Sequence, residues 1–284
     1  MTPITNQTRE KTTAMAITAA DVKKLRDMTG AGMMDAKKAL TEANGDYDAA
    51  VEILRVTGQA KMAKRSDREA SNGLVAAAGK AVIQLGAETD FVAKNAEFVA
   101  LADEIAQAAD AAGATDVAAV NAVVLASGKT VADTVAELAA KIGEKLEVAN
   151  AASYDGDVTI YLHRRSSDLP PQVGVMVEHE GGSGDFVRGI AMQIAAMSPQ
   201  YVTRDEVPAE VLDHERHIAE LTAKEEGKPE KIIPRIVEGR LGGFYKDVVL
   251  LEQASVSDDK KTVGQLLKEN GVTVKRFVRF AAGA

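Results

Sequence analysis

Between residues 18 and 58 the apolar positions recur at helical spacing and glycines interrupt them. In "TAADVKKLRDMTGAGMMDAKKALTEANGDYDAAVEILRVTG", Val22, Leu25 and Met28 share one helix face behind Thr18, a good N-cap residue. Gly30 and Gly32 break the pattern, residues 33–43 form a second helical segment that Asn44 and Gly45 end, and Asp46 caps a third carrying Ala50, Val51 and Leu54. Three helices in about forty residues make a bundle that is marginal alone and suits an attached module.

The next stretch, "QAKMAKRSDREASNG", is polar, mixes both signs of charge and reads as a solvated linker helix. From Leu74 the pattern changes. "AVIQL" predicts a strand, "GAETD" a break, and "NAEFVALADEIAQAADAAG" a helix with Phe98, Leu101 and Ile105 on one face. "VGVMVEHEGGSGDFVRGIAMQIAAM" repeats strand, turn and helix, with Phe186, Ile190 and Ile194 facing the core, so two related α/β subdomains are expected. Between them lie a helix at "TVADTVAELAAKIG" and strands at "KLEVANAASY" and "VTIYLHR".

Farther on, Val207, Val211, His214, Ile218 and Leu221 recur at spacings of four and three, predicting the seam of a coiled-coil-like helix. "EEGKPE" turns the chain, and a returning helix from Ile232 to Phe244 completes an antiparallel hairpin. "VVLLEQASV" and "VKRFVRF" are expected to be closing strands around the helix "TVGQLLKENG". The fold class is therefore α/β (α+β) with small antiparallel sheets. Its expected divisions are an extension at 1–14, a helical module at 15–58, a linker at 59–73, core subdomains at 74–160 and 161–284, and the inserted hairpin at 207–244.

Charge narrows the function. A formal net charge of -8 opposes the phosphate attraction on which nucleic-acid binders depend, and the absence of Trp argues against a base-stacking platform. No cysteine is present, which removes thiolate nucleophiles and Cys-based zinc sites and suits a reducing compartment. No apolar run approaches the ~20 residues that span a bilayer. Residues 1–14 lack the pattern of a secretory or transit peptide, and Met15 reads as a natural start.

Candidate chemical motifs mostly fail. "SGKTV" ends like a phosphate-binding loop, but Val123 stands where the first glycine is required. "HERH" lacks metalloprotease spacing, and in "GGSGDFVRG" Val187 occupies the third glycine position of a dinucleotide fingerprint. With no acid/base pair singled out, the residues point to a binding protein and not to an enzyme.

The blocks "TGAGMMDAKKAL", "NGDYDAAVEILR", "ETDFVAKNAEF", "AKIGEKLEV", "KIIPRIVEGRL", "KTVGQLLKENG" and "RFVRF", in this order from Met15 to Phe280, resemble bacterial translation elongation factor Ts. The resemblance implies a cytoplasmic guanine-nucleotide exchange factor with no cofactor of its own. Its implied partner is the GTPase elongation factor Tu, bound in a one-to-one or two-to-two complex, with no direct contact to nucleic acid or membrane. It implies that Thr89, Asp90, Phe91 and Val92 are the element that dislodges the partner's Mg²⁺. It further implies that Lys23, Arg26, Met33, Met34 and His163 bind the partner. Two adjacent methionines cannot both face one core, so at least one of Met33 and Met34 is expected at the surface. His163 is followed by an insert, "RRSSDLPP", that lengthens its loop relative to many relatives, and many relatives continue past the "RFVRF" strand into a further helix.

Two other functions compete. The helical module resembles ubiquitin-associated domains, which implies an adaptor that reaches another partner through residues 15–58. "SGKTV" would in turn suit a nucleotide-using enzyme that binds GDP or ATP without a partner.

Overall fold

The computed structural model describes residues 17–63 and 67–283. The extension expected at 1–14, the start at Met15 and residues 64–66 of the expected linker lie outside the described residues. The elements in chain order are α1 (Ala19–Thr29), α2 (Met33–Glu42), α3 (Tyr47–Ala63), β1 (Asn72–Ala78), β2 (Ala81–Ala87), α4 (Asp90–Ala93), α5 (Ala96–Ala112), α6 (Val117–Ala122), α7 (Val131–Ile142), β3 (Leu146–Ser153), β4 (Val158–His163), β5 (Val173–Glu180), α8 (Gly184–Met197), α9 (Ala209–Glu225), α10 (Ile233–Val248), α11 (Val263–Glu269) and β6 (Thr273–Ala281). The chain is a mixed α/β protein that divides into two compact units. One holds the described residues up to Glu69 with Asp133–Leu146, the other Ala70–Ala132 with Glu147–Ala284.

In the first unit Thr18 and Asp21 form a reciprocal capping box at the start of α1, and Gly30 ends that helix in the left-handed region at φ 69°. Asn44 and Gly45, both at positive φ, end α2, and the Asp46 carboxylate accepts the Ala49 amide at the start of α3. Val22, Leu25, Ala36, Ala39, Leu40 and Ala50 form the core, with Val51 and Leu54 half-buried against it. Met28, expected on the same inner face, is 60% exposed. It stands in the last turn of α1, where the chain already turns away at Gly30. Residues 133–146, expected in the first core subdomain, group instead with this module, and Glu137 lies 3.7 Å from Arg55 of α3.

The second unit is built on two three-stranded sheets, ordered β1-β2-β3 and β4-β5-β6. In each, the central strand leads into the long helix that covers the sheet. α5 follows β2 and buries Phe98, Leu101 and Ile105, while α8 follows β5 and buries Val187, Ile190 and Ile194. The alternation of β5 divides its side chains. Val175 and Val177 pack with α8, and Met176 meets Val75 and Val82 of the other sheet. Between the sheets the Gly174 backbone lies against the Val75 side chain, because a Cβ on Gly174 would stand 2.3 Å from Val75 Cγ1. In β6 the register shifts opposite Glu178 and His179, so Val274 and Phe277 share the α8 face while Val278 and Phe280 meet the sheet. The division expected at 160/161 falls inside β4.

The antiparallel hairpin is present as α9 and α10, with a different seam. Ala219 and Ala223 are the buried residues of α9, packed on Ile233, Val237 and Leu241, whereas Ile218 and Leu221 are 43% and 52% exposed and His214 is exposed. Small residues let the helix backbones approach closely, which turns the contact face one position round α9 from the face with the larger side chains. The segment "VVLLEQASV" is a short 3-10 turn at Leu250–Glu252 flanked by single bridges, not a closing strand. Here the buried Gln253 amide donates to the Asp247 carbonyl, and Leu250 N bonds Tyr201 O, so polar backbone groups are satisfied without a ladder.

Candidate functional site

Two local features lead the chain from β2 into a single helical turn and then into α5. Asn72 Nδ2 donates to Glu88 O at 2.9 Å, and Thr89 is extended at φ -130° and ψ 157°. The turn α4 ends because Asn95 adopts extended backbone and caps α5, its side-chain oxygen accepting the Glu97 amide at 2.8 Å. A turn of four residues can bury only one side of itself. Val92 and Ala93 take that side, at 6% and 0% exposure, and Phe91 on the other is 80% exposed.

Of the four residues expected to act on a partner, the geometry separates inner from outer members. Asp90 and Phe91 are accessible; Val92 is an anchor. Lys94 Nζ lies 3.7 Å from Asp90 Oδ2 and 3.1 Å from Asp168 Oδ2, so it stands between two carboxylates, and the hydrogen bond to Asp168 raises its pKa. Asp168 belongs to the insert. Its carboxyl is held below the usual carboxylate range, first by the Ser166 hydroxyl and then by Lys94.

His163 is at the exposed end of β4, paired with Val173. Its Nδ1 shares a hydrogen bond of 2.9 Å with the Tyr161 hydroxyl, and the Arg188 guanidinium lies 5.2 Å from the Tyr161 ring centre. His163 O accepts the Gln172 amide at 3.0 Å, closing the base of the insert. The loop that follows His163 reaches the Phe91 turn through Asp168 and Lys94.

In the first unit Met33 and Met34 are both exposed, at 49% and 76%, and with Met28 they flank the glycine turn between α1 and α2. Lys23 and Arg26 are exposed on α1 and make no side-chain ion pair among the described residues. Sequence periodicity missed Met28 as a surface residue; its place two residues before Gly30 was the available signal. No group of three or more possible metal ligands exists among the described residues, and no helix is long and apolar enough to cross a membrane.

Residues 88–284 match the family model of elongation factor Ts, a match that opens at Glu88, beside the exposed Phe. The chain is 69% identical over 269 residues to elongation factor Ts of Cutibacterium acnes, covering 95% of this chain and all of that protein. The chain belongs to the elongation factor Ts family. It is also 56% identical to elongation factor Ts of Rhodococcus erythropolis and 58% identical to that of Mycobacterium avium, each over 94% of this chain and 98% of the relative. Membership in the elongation factor Ts family makes this chain a translation elongation factor, acting in protein biosynthesis.

Proposed function

We propose that the chain is a guanine-nucleotide exchange factor that binds elongation factor Tu loaded with GDP, dislodges its Mg²⁺ and promotes GDP release. The observation that carries this reading is Phe91, 80% exposed on a turn whose Val92 and Ala93 are buried, within a chain of the elongation factor Ts family. A ring held outward on a seated turn acts as a wedge. Mg²⁺ demands near-octahedral oxygen ligands and is held by few protein groups in nucleotide sites, so small displacements of a partner segment release it. Thr89 and Asp90 accompany the ring, and Val92 holds the turn from within. The protein acts by binding in the cytoplasm, without a catalytic constellation or cofactor of its own.

One wedge is not enough. A thousandfold acceleration needs about 4 kcal/mol, whereas full burial of one Phe supplies about 1.5–3 kcal/mol. Met33, Met34, Lys23 and Arg26 on the helical module, and His163 on the second sheet, supply further contact. The test mixes the chain with Tu carrying a fluorescent GDP and follows signal loss. Acceleration supports the reading, and release at the intrinsic rate with saturating chain contradicts it.

The exposed Met28, Met33 and Met34 also fit an adaptor that docks a different partner through the helical module. A pulldown in which residues 15–58 alone capture such a partner, with no Tu recovered by the full chain, would favour that reading.

A further inference from the structure

The insert at residues 164–171 folds back onto the Phe91 turn. Its base is closed by the Gln172 amide on His163 O at 3.0 Å, and its far end is fixed to β1 by the Val75 amide on Pro171 O at 2.8 Å. Within the loop Arg164 Nη1 donates to Leu169 O at 3.0 Å, and Arg165 Nη1 donates to Gly283 O at 2.6 Å. The Ser166 hydroxyl donates to Asp168 Oδ1, which orients the carboxylate, and Oδ2 of the same group receives Lys94 Nζ at 3.1 Å. A cavity of about 390 Å³ lies beneath, lined by Leu74, Val99 and Leu162 with Lys94, Arg164 and Leu169.

We propose that this insert is a strap that sets the orientation of α4, with Asp168 a positioning residue acting on Phe91 through Lys94. The inference rests on the exchange reading for its consequence and on the geometry alone for the strap. A single helical turn has few hydrogen bonds of its own and forms at a nucleation cost, so its direction depends on outside attachments. Val92 and Ala93 fix it from below. Lys94, at its C-terminal end, fixes it from the side, between Asp168 of the strap and Asp90 of the turn. Removing the Asp168 charge leaves Lys94 to Asp90 alone and frees the turn to tilt. Asp168 is 64% exposed at its side chain, so the effect is modest and falls with added salt.

The test has two arms on the full chain. In the free protein, Asp168→Asn should speed amide hydrogen exchange at residues 90–95 by about two- to fivefold, the range an exposed ion pair supports. With Tu carrying fluorescent GDP, the same variant should lower the maximal release rate at saturating chain by a similar factor. The half-saturating concentration and thermal midpoint should stay unchanged, and Asp168→Glu should restore both readouts. Hydrogen exchange at residues 90–95 identical to wild type overturns the strap. Faster exchange with an unchanged maximal rate overturns the positioning role. If the wild-type chain fails to accelerate release, the exchange reading fails, while the hydrogen-exchange arm still decides the strap.

Discussion

Replacing Phe91 by Ala separates what the turn does for a partner from what it does for its own fold. The ring is 80% exposed, so docking can bury about four-fifths of a Phe, worth about 1.2–2.4 kcal/mol on the usual ~1.5–3 kcal/mol scale. At ~1.4 kcal/mol per factor of ten, Phe91→Ala should slow assisted GDP release about 7- to 50-fold. The same exposure means that the ring stabilises the free chain little, so the change in folding stability should stay within about 0.5 kcal/mol. Val92→Ala supplies the contrast. Removing two buried carbon groups should cost about 1.6 kcal/mol or more of stability before any effect on the partner. The assay is stopped-flow release of fluorescent GDP from Tu beside a thermal melt of each variant. A Phe91→Ala chain that keeps wild-type release, or that loses stability as Val92→Ala does, would refute the wedge.

Other outcomes follow from the same geometry. Met34→Gln should weaken binding to Tu roughly five- to thirtyfold, from about 1–2 kcal/mol of lost apolar burial, with an unchanged melting midpoint; titration calorimetry checks it. Gln193→Leu should destabilise the second unit by about 1–3 kcal/mol, read by urea unfolding, because the buried Gln193 side chain accepts the Val256 amide on Oε1 at 2.7 Å and donates from Nε2 to Gln253 and Ala254. Glu178 accepts Arg276 Nε at 2.5 Å, which holds its carboxyl below the ordinary value. A depressed carboxyl stabilises the fold above its unfolded pKa and loses that contribution as pH falls through the folded value. Thermal melts from pH 7 to pH 3 should therefore show a steeper acid loss for wild type than for Glu178→Gln.

Periodicity made the three helices, the repeated strand–turn–helix unit and the hairpin legible, because each buries one continuous apolar face. It misplaced the hairpin seam because Ala219 and Ala223 carry little hydrophobic weight, while Ile218 and Leu221 carry much and stay outside. β1, "NGLVAAA", offered no alternation to detect and was not anticipated. "VVLLEQASV" has strand composition, yet Gln253 supplies side-chain hydrogen bonds that make a ladder unnecessary. At the Phe91 turn the chain itself contained the answer, since Phe98 already fills the face of α5 that packs on β1 and β2. The link from Lys94 to Asp168 spans residues 74 apart in sequence and depends on how the insert folds, which no local pattern encodes.

If this chain is an exchange factor, it and GDP oppose one another on Tu, and linkage fixes the sign and size of that opposition. The direct measurement is titration of the chain into nucleotide-free Tu and into Tu saturated with GDP. Binding to nucleotide-free Tu should be tighter, by the same factor by which the chain raises the dissociation constant of GDP. Equal affinity for the two forms, or no binding to either, would contradict it.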